Sequence, residues 1–434
     1  MEWQSYLLLY SVILAVLLIC GVWIGIALAV TGVVGILMVS GIAGLDSLST
    51  ICWSASCSFT LTAIPLFVLM AEIILRSGLS DDFYKGISIM LCRIPGGLIH
   101  TNIIGCGIFS AISGSSVATA AAIGTAAIPE LRKRHYSDEL SLGSLAAGGT
   151  LGILIPPSIT MIIYGDMLQV SVAKLFTAGI VPGIIFVVLF MVYIGIRVLF
   201  NPSLVPQHEH VDISLKERIV AVMKSVPVLM LLVLILGGIY TGICTPTEAA
   251  ALGVLGALAI CISMGKFSCR KLYDALASSV KSTVMIMIIT VGAQVLSFAF
   301  VNSGVTRGAV QWVIEHQMTQ TTFIWIVIVL YLILGCFIDG VSIMILTLPL
   351  LYPIMHELNI DPIWFGVVMT ILISIGQITP PMGVNIFTVY SIADGTALND
   401  VIRACVPYWF IMLGMIIVYM KFPVLITWLP SLMY

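Results

Sequence analysis

Two double prolines and two short polar stretches hold the residues of this chain that can do chemistry. Pro156-Pro157 closes "GILIPP" (152–157) and Pro380-Pro381 closes "GQITPP" (376–381), each deep in apolar sequence. The polar stretches are Ser113-Gly114-Ser115-Ser116 and Asp339-Gly340-Val341-Ser342. Proline has no N–H, so Pro156 and Pro157 should leave the carbonyls of Gly152 and Ile153 without helical partners. Pro380 and Pro381 should do the same to Gly376 and Gln377. Carbonyls freed at the end of a half-helix lie at the negative end of its dipole. With serine and threonine hydroxyls they form a hard-oxygen cage of the kind that holds a small cation such as Na⁺. One such break is commonly a kink healed by water or a neighbour. A duplicated break, each copy preceded by a polar stretch, predicts ion sites.

The elements around these residues are membrane elements. The chain has 434 residues, of which 60% are hydrophobic and only 9% charged, against about 25% charged in a soluble domain. A net charge of −2 argues against a nucleic-acid footprint. Ten cysteines are scattered without a CxxC pair, mostly in apolar runs, and read as small packing residues. The first 23 residues lack a basic n-region and a cleavage site, which predicts a retained first span. Apolar segments recur near 6–22, 24–44, 63–77, 174–200, 218–242, 246–264, 280–300 and 400–429, while 45–62 is semi-polar and suits the interface.

The halves of the chain repeat. "RSGLSDDF" (76–83) matches "NSGVTRGA" (302–309) and "ISG" (112–114) matches "IDG" (338–340), both offset by 226; the double prolines differ by 224. The polar run 201–217 divides repeats at 1–200 and 218–434. Residues 96–129 contain no Asp, Glu, Lys or Arg. With Pro129 as a stop they give two legs of about 15 residues, each about 22 Å and short of a ~30 Å core. That predicts a re-entrant hairpin over 96–129 and a broken helix over 140–170. The second copies fall at 321–355 and 363–393. Basic residues give the orientation: Lys85, Arg93, Arg132, Lys133 and Arg134 flank the first hairpin, Arg307 alone the second. Equivalent loops on opposite sides of the membrane make the repeat inverted, a transporter architecture.

The offset also pairs the sites. Ser113, Ser115, Gly152, Ile155 and Pro157 are expected around one Na⁺, and Asp339, Val341, Gly376, Thr379 and Pro381 around a second. Ser116, Asp339, Ser342 and Asn385 are the candidates for substrate contact. Asp339 is the only charge between Gln320 and His356, and an ionisable residue at that depth is a functional candidate by default.

Inverted halves, polar-tipped hairpins, paired "PP" breaks and "TPTEAAALG" (245–253) resemble the large membrane subunit of tripartite ATP-independent periplasmic (TRAP) transporters, over essentially the whole chain. The resemblance implies an all-α polytopic protein with elevator-type, Na⁺-coupled uptake of an organic anion, such as a sialic acid or a C4-dicarboxylate. It implies a bacterial inner-membrane location, a small four-helix membrane partner and a soluble periplasmic binding protein. The start at Met1 predicts that the small subunit is a separate chain.

Several residues have plainer roles. Thr245, Pro246 and Glu248 spell a helix-capping box. Glu72 and Arg76 suit an i,i+4 pair near a span end. Asp166 suits either an interface or the pathway, and "HEH" (208–210) a solvated linker. An intramembrane enzyme with Ser113 or Ser115 as nucleophile lacks a histidine or lysine base at a matching apolar position. A stand-alone Na⁺-dicarboxylate symporter is the nearest rival within transport.

Overall fold

The computed structural model describes residues 2–91, 96–206, 215–381 and 383–433, with only the backbone at 215–218 and 221. Arg93, the His208–His210 stretch of the expected linker and the Lys216 side chain lie outside the described residues. Among those described the chain forms twenty α-helices and no strand, and seven helices are long and apolar enough to cross a membrane. The helix Val172–Phe200 shows why water is the wrong solvent. Ile184, Val188, Val192 and Ile196 repeat every four residues along an exposed stripe, while Phe186, Phe190 and Ile194 are buried behind them. A continuous apolar stripe of that size belongs against lipid.

Each half runs through the same order of elements. In the first, Ala63–Ser77 and Leu79–Leu91 lead into a hairpin, Gly97–Ser113 with Ser116–Lys133. A broken helix follows, Asp138–Leu154 with Ile159–Leu168, and then Val172–Phe200. In the second, Cys269–Asn302 and Val305–Glu315 lead into the hairpin Gln320–Gly335 with Gly340–Glu357. Pro362–Gly376 with Val384–Ile392 is the second broken helix, and Leu398–Lys421 follows. The turn that opens each series rests on a glycine in the left-handed region, Gly78 (φ 76°) and Gly304 (φ 75°). Only glycine takes that conformation without a Cβ penalty.

Three contacts make the broken helices antiparallel. Near the end of the first, the Tyr164 hydroxyl donates to the Pro362 carbonyl at the start of the second (2.7 Å). At the opposite end, Arg132 holds Asp138 (3.0 Å) together with the Asp394 carbonyl (2.8 Å) and Thr396 Oγ1 (2.6 Å). Midway, Ser374 Oγ donates to the Thr150 carbonyl (3.4 Å), a pair 224 residues apart. A contact between residues at the same repeat position is what a two-fold axis produces there.

Two helix pairs cross over to the other half. Ile24–Ser40 lies along Cys269–Asn302, and Pro246–Ser263 along Ala63–Ser77. A Cβ added at Gly292 would stand 2.2 Å from the Gly25 carbonyl, so these backbones touch through glycine. Without a hydrophobic drive between helices in lipid, close packing at small residues holds such crossings.

Two boundaries differ from expectation. Pro129 does not stop the first hairpin; its second leg continues to Lys133 with the proline inside. One proline removes one bond and bends a helix that its neighbours still support. The expected span 400–429 is two helices, Leu398–Lys421 and Val424–Ser431, parted before Pro423.

Candidate functional site

At the first tip the helix Gly97–Ser113 ends on Gly114 (φ 58°), and the chain re-enters a helix with Ser115 as N-cap. Ser113 Oγ lies 2.6 Å from Thr119 Oγ1 and 3.1 Å from the Ser115 carbonyl, and it is buried. The first break lies against this tip. The Ile159 N–H donates to the Gly114 carbonyl (3.3 Å), so the second half-helix is stitched to the turn. A Cβ added at Gly152 would stand 2.5 Å from the Ser115 carbonyl and 2.7 Å from Thr119 Oγ1. One at Gly114 would stand 2.9 Å from the Pro157 carbonyl. Oxygens of Ser113, Ser115, Thr119 and Pro157 therefore gather around two glycines.

Sequence reasoning missed Thr119. It stands one turn beyond Ser115 in an alanine-rich leg, and its hydroxyl was the available signal. Ile155 sits in the extended break, and its side chain packs toward Gly107 and Gly183. The expected loose carbonyl of Ile153 is not loose: Ser158 Oγ donates to it (2.5 Å). The serine after the prolines does what their missing N–H cannot.

The second unit repairs itself more fully. The Gly376 carbonyl accepts from Thr379 N (3.2 Å) and the Gln377 carbonyl from Asn385 N (3.1 Å), so neither expected freed carbonyl is left bare. A tight turn and the returning half-helix supply the donors. Thr379 Oγ1 donates to the Ile375 carbonyl (2.6 Å). Asp339 caps Gly340–Glu357, receiving Ser342 N (3.1 Å) and Ser342 Oγ (2.5 Å), and its side chain is exposed. The tip touches the break through Cys336, whose Sγ donates to the Pro380 carbonyl (3.1 Å), and through Gly335 packed on Gly376. Val341 is half-buried, and Pro380 and Pro381 are exposed where Pro156 and Pro157 are buried.

A cavity of about 410 Å³ lies where the two units face each other. Ser113 to Ala118 form one side, and Asp339, Gly340 and Val341 another. Glu72 and Leu75 come from Ala63–Ser77, and Ser282 and Met285 from Cys269–Asn302. The starts of four helices border it, at Ser116, Ile159, Gly340 and Val384. Helix N-termini carry positive dipole ends, which favour an anion, although the N–H groups of Ile159, Ser342 and Asn385 are already bonded to Gly114, Asp339 and Gln377. No lysine or arginine is among the described lining residues; the charged ones are Glu72 and Asp339. Glu72 is held by Arg76 Nε (2.7 Å) and Ser278 Oγ (2.8 Å).

Of the candidate substrate contacts, Ser116 and Asp339 line this cavity. Ser342 and Asn385 do not. Ser342 is buried behind Asp339, and Asn385 Nδ2 turns to the Ala146 carbonyl of the first broken helix (3.2 Å). Asp166 is bonded by Ser58 Oγ, a contact from the segment between two helices of the first half. Thr245 and Glu248 form the capping box reciprocally, with Pro246 in the first turn. His100 lies on the same helix as Ser113, thirteen residues away, which is about 20 Å along the axis and out of reach for a general base.

Known proteins match this arrangement. Residues 11–425 fit the family described as the tripartite ATP-independent periplasmic transporter, DctM component. A C4-dicarboxylate TRAP transporter large permease from Pseudomonas aeruginosa is 35% identical over 411 residues, covering 93% of this chain and 94% of the relative. A sialic acid TRAP transporter permease from Haemophilus influenzae is 31% identical over 387 residues, covering 87% of this chain and 60% of its own length. The YdaH transporter of Alcanivorax borkumensis has the same fold, with a TM-score of 0.60 at 14% identity over 89% of this chain and 90% of that one. The two curated relatives are named as transporter permeases. The chain is an all-α polytopic membrane protein and belongs to the large membrane subunit family of TRAP transporters.

Proposed function

We propose that this chain couples Na⁺ entry to uptake of an organic anion across the bacterial inner membrane, with the hairpins and broken helices moving as a body against the remaining helices. The cavity between the two tips is the observation that carries the reading. It is bordered by four helix N-termini and by Ala63–Ser77 and Cys269–Asn302 on the opposite wall, and it holds no basic side chain among its described lining residues. Such a site attracts an anion weakly by itself and strongly once cations stand behind the tips. Ser113, Ser115, Thr119 and Pro157 are the oxygens for one ion beside Gly152. A second ion has its charge balanced by Asp339, with Val341, Gly376, Thr379 (through its backbone, since its hydroxyl is bonded to Ile375) and Pro381 around it once the second tip closes.

The family implies a small membrane subunit and a periplasmic binding protein. The sialic acid relative extends well beyond the matched region, and the dicarboxylate relative does not, so names alone leave sialic acids and C4-dicarboxylates both on the panel. Purified protein, with and without those partners, should be reconstituted into vesicles and offered labelled carboxylates. Uptake that needs both a Na⁺ gradient and the binding protein is expected. Uptake that is indifferent to Na⁺ overturns the coupling, and uptake without the binding protein points to a stand-alone symporter.

A further inference from the structure

An apolar slot of about 580 Å³ separates the first hairpin from the helix Leu215–Tyr240 of the other half. Ile104 and Ile108 of the hairpin, Ile184 of Val172–Phe200, and Leu232 and Val233 line it, together with Pro156 of the first break. Along Leu215–Tyr240 its lining runs from Leu229 to Tyr240. At ~1.5 Å per residue that is about 16 Å, the hydrocarbon depth of one leaflet. The slot continues the lipid-facing surface: Ile184 and Val233 are 57% and 72% exposed, and Val188 and Leu234 extend the stripe on each side.

Tyr240 also lines a second chamber, of about 500 Å³, whose walls include Ser171, Lys174, Thr245 and Thr247. The apolar slot and a second chamber of mixed lining, which holds a lysine, therefore share Tyr240 as a wall. The Tyr240 hydroxyl is buried and has no partner among the described residues. Lys174 stands in the first turn of Val172–Phe200, and that turn contains no acidic residue. A cation at this end of a helix opposes the dipole, and an anion beside it relieves both.

We propose that a membrane phospholipid occupies these adjacent cavities across the Tyr240 ring, with one acyl chain in the slot beside the first break and its phosphate beside Lys174. Slot length, lining chemistry, continuity with the bilayer and the Lys174 charge in the adjacent chamber all match that ligand. The site does not rest on the ion-coupling reading, and it would place a lipid between the first hairpin and the helix it faces.

The test uses protein reconstituted into phosphatidylethanolamine–phosphatidylglycerol vesicles, then released into mild detergent for native mass spectrometry. Wild type is expected to retain one phospholipid. Gly237 lines the slot, and an added Cβ there meets nothing within 4 Å, so Gly237→Phe should fold, fill the slot and abolish retention. Lys174→Gln should lower retention by about five-fold, the effect of one basic residue at a lipid surface. Leu255→Phe, at another lipid-exposed position, should leave it unchanged. Equal retention by all four proteins overturns the site. So does efficient cross-linking of a cysteine at position 237 to the small membrane subunit instead of to a photoreactive phospholipid. If Gly237→Phe does not fold, Gly237→Leu takes its place beside Lys174→Gln. Reduced retention in both then supports the site, and wild-type retention in both overturns it.

Discussion

The two tip-and-break units share a plan and differ in state. Each has two hairpin legs, a polar turn, a half-helix ending near a double proline and a second half-helix starting just after it. In the first unit the tip is buried and bonded to the break, and hydroxyl and carbonyl oxygens converge beside Gly152. In the second, Asp339 and both prolines are exposed, and the carbonyls that the prolines should free are bonded by the turn and by the returning half-helix. A duplicated sequence device thus fixes where the backbone breaks. It does not fix which oxygens stay available; nearby side chains decide that.

The largest expected effect tests whether the first unit's packing is required. Gly152→Val puts branched carbon where the Ser115 carbonyl and Thr119 hydroxyl stand within 2.7 Å of a Cβ. Two backbones would have to part, and uptake should be lost while the protein still inserts and runs as a single species. Uptake at wild-type rate would show that the tip and break need not touch. Ser113→Ala comes next. It removes a buried hydroxyl and strands Thr119 Oγ1, at about 1–3 kcal/mol, so half-activation by Na⁺ should rise about ten-fold. An unchanged Na⁺ curve would remove Ser113 from the ion site.

How much of this is legible in the sequence follows from the range of each interaction. The hairpins, the breaks and their repetition are legible, because prolines, glycines and missing charge act within a few residues of themselves. Gly78 and Gly304 hold the same left-handed turn in the two halves, and the sequence match at 76–83 and 302–309 already aligns them. The repairs are not legible. Ser158 reaches back five residues to Ile153, and Asn385 N returns to Gln377 across the break. Asn385 reads as a substrate contact in sequence, yet its amide answers Ala146, 239 residues away. The exchange of Ile24–Ser40 and Pro246–Ser263 between halves depends on glycine contacts that no local pattern announces.

Asp339→Asn sharpens the comparison from the second side. Asparagine and aspartate cap helices about equally well, so stability should move by only a few tenths of a kcal/mol. The lost charge is then the only large change. Half-activation by Na⁺ or substrate affinity should shift about three- to ten-fold, less than a broken first unit but beyond a cap effect. Wild-type transport at every Na⁺ concentration would leave Asp339 as a cap alone, and the second unit without a charged member.

The smallest effect is expected at Thr379, and it discriminates best between the units. In sequence this hydroxyl holds the place where the first unit offers only the backbone of Ile155. In the structure it donates to the Ile375 carbonyl, which also accepts Ile378 N at 3.1 Å. Thr379→Val therefore strands nothing: the carbonyl keeps a donor, and valine fills nearly the same volume. A neutral hydrogen bond of this kind contributes about 1 kcal/mol or less, so thermal stability should fall slightly and Na⁺ half-activation should stay within about two-fold. The contrast with Ser113→Ala is the measurement that matters, made side by side in one vesicle preparation. Equal, large shifts from both substitutions would mean that the second unit presents a hydroxyl to its ion just as the first does. The exposed arrangement of the second unit would then be an open state of one shared design. A shift from Ser113→Ala alone would mean that the units bind by different chemistry, hydroxyl and carbonyl oxygens in the first and a carboxylate in the second.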